Sequence, residues 1–508
     1  MADSIFEPLE PKLLWRRFLE LKNTPRPSKH EQQAIDYLRD WATRHGYETR
    51  TDEVGNLCVR VPATAGCENA PTVVLQNHVD IVAANVENAP SDADASRGLI
   101  PVDRGEVNEA GQFEPAGGGG WIGAPLTTLG ADNGIGCAAA MAVCELDNLR
   151  HPSLELLFTI DEEEGMSGAL RLDAEALGMR GRILLNLDTE SDDELTIGSA
   201  GGCDLHVRWE ASLADAAGWV PCALSLADLR GGHSGIEINS GRANAIRLMA
   251  TALGNAAAHI PLRVATLAGG DRRNAIPRSC RATVLVQATD VDALQNFIAT
   301  CCDLFNRQFA GRDNPVEIET QRGLAVNAAF SQEDTRRLLD LLLAIPDGVF
   351  AMTAEIPDLP ETSNNLALIS TDDQVVTIHC SSRSSHEPGM RDILSAFHAV
   401  GRMAGAEVRE GNSYPGWKPD LKSRILASTH QVYQRLFNEE AKVMAVHAGL
   451  ECGVLASRIP ELDCISFGPN ICGNHAPGEH VQIASVDKSF RLLTELLAEL
   501  AMKTGVRS

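Results

Sequence analysis

Helix and strand patterns alternate through the first two hundred residues, give way to longer strands mixed with helices, and alternate again near the end. That shift predicts an α/β domain interrupted by an inserted α+β module, with parts at 1–199, 200–404 and 405–508. Length supports the division, because 508 residues exceed one ordinary hydrophobic core. A third observation is where the charges fall. Several expected strands end in Asp or His, at the edge where open α/β sheets bind ligands.

The elements follow in order. Residues 12–22 and 30–45 read as amphipathic helices, the second closed by Gly46. Residues 56–61 and 72–76 are strand-like, and 85–125, rich in Gly, Pro and acids and including Gly117-Gly118-Gly119-Gly120, must be loop or hairpin. Residues 134–146, packed with Ala and Cys, read as a buried helix. The apolar run at 154–160 reads as a buried strand, followed by a short helix at 168–177 and a strand at 182–187. Ser199-Ala200-Gly201-Gly202 is a plausible hinge. Beyond it, strands at 204–210, 220–226 and 280–287 and helices at 242–258 and 290–309 suggest a largely antiparallel sheet. After a turn-rich break at Gly411-Asn412-Ser413-Tyr414-Pro415-Gly416-Trp417, a helix at 422–437, strands at 442–446 and 464–467 and a final helix at 486–502 restore the α/β rhythm.

Composition narrows the function. The chain is 44% hydrophobic and 22% charged, as expected of a soluble globular protein, and its formal charge of −25 argues against nucleic acid or an anionic membrane as partner. No apolar run approaches the ~18 residues that cross a bilayer, and the N-terminus lacks the basic start and apolar stretch of a secretory signal. The thirteen cysteines include no C-x-x-C pair, and many sit in apolar runs. A reducing, cytoplasmic compartment is expected, with any metal held by His and carboxylates.

Five places put such ligands at strand ends or the turns after them. His78 and Asp80 follow 72–76 and share one face at a two-residue period, so Asp80 can orient the imidazole. Asp132 stands between glycines before the buried helix. Asp161-Glu162-Glu163-Glu164 ends the run at 154–160, where two carboxylates about 5 Å apart repel by roughly 3 kcal/mol at an effective dielectric near 20. Asp188 ends the strand at 182–187, and His475 lies in Gly473-Asn474-His475-Ala476-Pro477-Gly478-Glu479. Singly, each has an ordinary explanation: a solvated acidic turn, a helix N-cap at Asp132, a structural histidine. Jointly, two His and three carboxylates at sheet ends suit a pair of borderline divalent ions.

The segments Asn77-His78-Val79-Asp80, Thr127-Thr128-Leu129-Gly130-Ala131-Asp132-Asn133-Gly134-Ile135-Gly136, Gly231-Gly232-His233-Ser234-Gly235 and Arg273-Asn274-Ala275-Ile276-Pro277 resemble the di-zinc aminoacylase/carboxypeptidase superfamily. Tyr414-Pro415-Gly416-Trp417 and His447-Ala448-Gly449-Leu450-Glu451-Cys452-Gly453 narrow the resemblance to the bacterial aminoacyl-histidine dipeptidases, over essentially the whole chain. The resemblance implies a mixed-sheet di-zinc peptidase catalytic domain interrupted by an α+β lid that binds substrate. It implies that Asp132 bridges two divalent metals, zinc or else Mn or Co, with His78 and Asp188 on one ion and Glu163 and His475 on the other. Glu162 is then the general base, Asp80 the partner of His78, and His233 the group that polarises the scissile carbonyl. Asn274 and Arg383 are the candidates for the substrate carboxylate, and the Asp132–Asn133 peptide is expected to be cis. Asp161 and Glu164 are expected to be solvated or structural, and His379, His447 and Glu451 carry no assigned role. The implied activity is hydrolysis of unblocked dipeptides, including Xaa-His, by a hydroxide bridging the two metals, in a cytoplasmic homodimer. The alternatives are an N-acyl amino acid amidohydrolase of the same superfamily and, more remotely, a non-catalytic metal-binding or interaction protein. One departure stands out: the connection between His78 and Asp132 is longer than usual, either a surface insertion or a reshaping of the cleft mouth.

Overall fold

The computed structural model describes residues 2–503. Its contacts divide the chain into two units. The first takes in the chain up to Gly198, Pro419–Ala445 and the chain from Leu450; the second takes in Ser199–Lys418 and Val446–Gly449.

The first unit is built on an eight-stranded mixed sheet in the order Glu48–Thr51, Leu57–Val61, Leu154–Thr159, Val73–His78, Ile183–Asn186, Asp463–Ser466, Glu194–Ser199 and Lys442–Val446. Val73–His78 runs parallel to Leu154–Thr159 on one side and to Ile183–Asn186 on the other. All six residues of both Val73–His78 and Leu154–Thr159 are buried, as expected of central strands covered on both faces, and neither alternates between apolar and polar residues. The parallel register pairs His78 with Thr159 and Gln76 with Asn186. His78, the acid run and Asp188 therefore leave the sheet at one edge, the carboxyl ends of the parallel strands.

The buried helix is Ala131–Val143, and every one of its thirteen residues is buried. Its Ala, Gly and Cys side chains are small enough to surround with protein on all sides. The Asp132–Asn133 peptide at its start is cis. The helix expected at 168–177 is a single turn, Ser167–Leu170. Asp173 ends it, its carboxylate accepting the backbone N–H of Glu175 and Ala176 in a competing local turn.

The long connection between His78 and Asp132 is structured. Asp103–Val107, Phe113–Pro115 and Trp121–Gly123 join His480–Gln482 and Ile471–Cys472 in a five-stranded antiparallel sheet, with Ile122 paired to Val481. Gly117–Gly120 is the turn region between two of its strands.

The second unit carries a nine-stranded sheet in the order Ile318–Arg322, Val220–Leu226, Cys280–Val286, Leu262–Gly269, Pro360–Asp372, Val375–Ser384, Gly201–Glu210 and Glu407–Tyr414, with Gly348–Met352 added against Pro360–Asp372. Its paired strands are antiparallel. Helices Ala245–Ala257, Val291–Gln308, Gln332–Ala344 and Glu387–Ala404 contribute buried residues to the same hydrophobic core. The second crossing falls after Lys418, not at 404, because Glu407–Tyr414 pairs along Gly201–Glu210, Val408 opposite Val207.

Candidate metal centre

Three turns and two strand ends of the first unit bring five side chains together. His78, buried at the end of its strand, places Nε2 3.0 Å from Asp132 Oδ1 and 3.3 Å from Asp188 Oδ1. The other oxygen of Asp132, Oδ2, lies 3.2 Å from His475 Nε2, and Glu163 Oε2 lies 2.8 Å from the same nitrogen. His78, Asp132 and Asp188 form one group whose ligand atoms lie within 4.8 Å of one another, and Asp132, Glu163 and His475 form another. One carboxylate thus belongs to both, an oxygen to each.

The supports explain why these atoms converge. Asp80 is fully buried and faces His78 Nδ1 at 3.5 Å, while Ser28 Oγ donates to its carboxylate at 2.7 Å. The same carboxylate accepts the backbone N–H of Glu162 at 3.0 Å and of Glu163 at 3.2 Å. Asn133 Nδ2 donates to Asp188 Oδ1 and, at 2.8 Å, to the carbonyl of Leu187. His475 is held in left-handed backbone (φ 64°), an uncommon conformation for a histidine. Asp161 is buried, its backbone N–H donating to Glu31 and its carboxylate accepting from Ser167. Glu164 is at the surface, paired with Lys29.

Electrostatics mark this as a place for cations. Burial pushes the carboxyls of Glu162, Glu163 and Asp188 up, Glu162 well above the usual range. Burial opposes charge on His78, yet Asp188, Asp132 and Asp80 outweigh it and hold the imidazolium well above its ordinary value. Hydrogen bonds to Asp132 and Glu163 lift His475 to about 11, and the two histidines pull Asp132 far down despite its burial. The chain alone can hold so many acids only by keeping protons among them. Imidazole nitrogens facing carboxylate oxygens are the donor set that borderline divalent ions take, so the residues fit a pair of such ions.

A buried polar layer centres on Glu451, whose role the sequence leaves open. Glu451 Oε2 accepts from Gln76 Nε2 at 2.6 Å and Thr159 Oγ1 at 2.7 Å, and burial raises its carboxyl to about 7. Gln76 Oε1 in turn accepts from Asn186 at 2.7 Å. Arg26 and Glu479, both buried, were missed. Glu479 offered one signal, an acid four residues after His475; Arg26, between two prolines, offered none.

The second unit holds His233, Asn274, Arg383 and His447. His233 Nδ1 accepts the backbone N–H of Gly235 at 3.2 Å and of Ile236 at 3.1 Å, so the ring proton resides on Nε2. Burial, then the charge of Arg383, lowers this histidine to about 4, leaving a neutral imidazole whose Nε2–H has no hydrogen-bond partner among the described residues. Arg383 is 93% buried, donates through Nη1 to the Tyr414 hydroxyl at 3.1 Å, and has no partner for Nε. Among the described residues no carboxylate pairs with it. A Cβ on Gly235 would lie 2.2 Å from the carbonyl oxygen of His447, 3.1 Å from Arg383 Nε and 3.2 Å from His233 Cε1, so only glycine lets these groups approach. His447 donates to or accepts from Ser363 Oγ at 2.7 Å through Nε2. Asn274 is exposed; its backbone oxygen accepts from Ser234 at 2.8 Å, and among the described residues its side chain makes no hydrogen bond. His379 pairs across the sheet with His206, Nδ1 to Nδ1 at 2.8 Å.

A family model described as peptidase family M20/M25/M40 matches residues 130–499. The chain is similar to the cytosol non-specific dipeptidase of Escherichia coli (strain K12), 38% identical over 499 residues that span 97% of this chain and 99% of that protein. It is also similar to the crystal structure of aminoacylhistidine dipeptidase from Vibrio alginolyticus, with a TM-score of 0.86 and 35% identity across 97% of each chain. A tripeptidase from Staphylococcus aureus, 14% identical, shares the fold at a TM-score of 0.54, over 97% of this chain and 100% of that one.

Proposed function

Because the chain belongs to peptidase family M20/M25/M40, we propose that it is a di-zinc dipeptidase cleaving unblocked dipeptides, Xaa-His among them. The observation that carries this reading is the Asp132 carboxylate, one oxygen turned to each of two histidines. His78, Asp132 and Asp188 would hold one ion, and Asp132, Glu163 and His475 the other. Held there, a pair of divalent cations would supply Lewis acidity and lower the pKa of water.

The chain's own groups do the rest. Glu162 takes the proton of the attacking water and returns it to the leaving nitrogen. Asp80 keeps the neighbouring Glu162 and Glu163 in place by accepting both their backbone N–H groups. In the second unit, the Nε2–H of neutral His233 donates to the carbonyl oxygen as negative charge develops there. Arg383, a buried guanidinium that no carboxylate of the described residues pairs with, takes the substrate's. Asn274, an exposed residue of the same unit, is a second contact to the same end of the substrate. The lid role of the second unit, a homodimer and a cytoplasmic location complete the reading; no helix among the described residues is long and apolar enough to cross a membrane.

The test pairs metal analysis with a substrate panel on one preparation. Two zinc, manganese or cobalt ions per chain with cleavage of Xaa-His dipeptides are expected. Cleavage of N-acetyl amino acids alone would mean an amidohydrolase, and two bound metals with no amide hydrolysis would mean a metal-binding protein.

A further inference from the structure

The turn carrying Asp132 is gripped from two sides by buried charges that come from distant parts of the chain. Glu479 is 2% exposed. Its Oε2 accepts the backbone N–H of Leu129 at 2.7 Å and of Gly130 at 2.9 Å, and its Oε1 accepts that of Ala131 at 2.7 Å and of Asp132 at 3.4 Å. From the other side Arg26, 1% exposed, donates through Nη2 to the carbonyl of Gly130 at 2.6 Å. Its Nη1 donates to the carbonyl of Val79 at 2.8 Å. A Cβ on Gly130 would lie 2.7 Å from Arg26 Nη2, and one on Gly134 2.5 Å from it, so both glycines make room for the guanidinium.

Each jaw ties two ligand-bearing segments. Arg26 joins the residue after His78 to the turn before Asp132. Glu479 joins that turn to the loop of His475, whose backbone it closes through its own N–H to the carbonyl of Ala476 at 3.2 Å. A carboxylate at the start of a helix also favours its dipole, and charge-assisted hydrogen bonds are the strong ones. An N-terminal cap for Ala131–Val143 would need one or two of these four bonds. Four, plus an opposing guanidinium on the one carbonyl between them, fix the turn in three dimensions.

We propose that Glu479 and Arg26 are positioning residues that set the separation of His78, Asp132 and His475, and so the affinity of the metal pair. The proposal rests on the reading of those three residues as metal ligands. Glu479→Gln keeps size and shape but turns an amide NH2 toward two backbone N–H groups. Arg26→Lys keeps the charge but loses the fork that spans Val79 and Gly130.

The experiment uses the full chain, stripped of metal and titrated with zinc against a competing chelator. Glu479→Gln and Arg26→Lys are each expected to weaken zinc binding about 10- to 100-fold. Saturating zinc should restore dipeptide turnover with KM unchanged. Wild-type zinc affinity in folded Glu479→Gln overturns the proposal, as does a lower melting temperature with unaltered affinity. Hydrogen exchange on the metal-free wild-type chain decides independently of any variant. The amides of residues 129–132 should be protected before zinc is added, and rapid exchange there overturns the proposal. A wild-type chain that binds no zinc would instead sink the metallopeptidase reading.

Discussion

Asp80 illustrates why adjacent acids in one run can have unequal fates. Its carboxylate holds the backbone of Glu162 and Glu163 together, yet their side chains diverge: Glu163 reaches His475, while Glu162 makes no such contact. Changing Glu162 to Gln should therefore leave two metals per chain and lower kcat by roughly 10²- to 10⁴-fold, whereas Asp132→Ala should lose the metals. Metal analysis beside kcat checks the pair, and equal metal loss in both would mean the roles are misassigned. His233 allows a second prediction with a sign. Its value of about 4 lies below the ordinary 6.5, so above pH 5 the ring is already neutral and its donor state does not change. His233→Ala should lower kcat about 10²- to 10³-fold, with the same loss at pH 6 and pH 8. A loss that vanished at one of these would show that protonated His233 is the working form. The five proposed ligand positions are legible as ligand types at strand ends, and it is the resemblance that divides them between two ions. The grip of Asp80 on two amides and of Glu479 on four was not, because backbone hydrogen bonds across 82 to 350 residues of sequence separation leave no local pattern.

At the scale of elements, the connection between His78 and Asp132 changes meaning. Its strand Trp121–Gly123 pairs with His480–Gln482, and Gly478 donates to the carbonyls of Ala124 and Thr127 at 2.9 and 3.2 Å. The insertion is thus a buttress for the loop that presents His475, and its Gly-rich turn is only the tip. Ile122 is fully buried at the middle of that pairing. Ile122→Ala should cost about 2–5 kcal/mol of local stability and lower occupancy at the His475 ion more than at the His78 ion. Equal occupancy of both sites in a titration followed by absorbance with cobalt would remove the buttress from the account. The apolar run at 154–160 reveals the strand Leu154–Thr159 because both its faces are buried. Glu407–Tyr414 gave no such signal: it is an edge strand, exposed along most of its length, whose only argument for pairing is its partner. That is why the expected boundary fell too early.

For the whole molecule, the interrupted rhythm of the sequence reflects two units with separate sheets, and all five proposed metal ligands lie in the first. Ligand binding stabilises only the state that binds, by about 2.7 kcal/mol for one site at a hundredfold excess over Kd. Removing metal should then lower the calorimetric transition of the first unit and leave that of the second in place. The second unit has its own handle in Asp347, which accepts from the backbone N–H of Leu366 at 2.9 Å and from Asn244 at 3.2 Å. Burial raises its carboxyl from 3.8 to about 6. A carboxyl raised on folding favours the protonated state, so its contribution is full below pH 3.8, falls as pH rises to about 6, and is flat above. The loss is at most about 3 kcal/mol, since each pKa unit is worth about 1.4 kcal/mol. Asp347→Asn should raise the second transition by an amount that grows from pH 4.5 to pH 7 and then stops growing, with the first transition unmoved. If chelation and Asp347→Asn instead shifted a single common transition, the two units would unfold as one, and each handle would report on the whole chain.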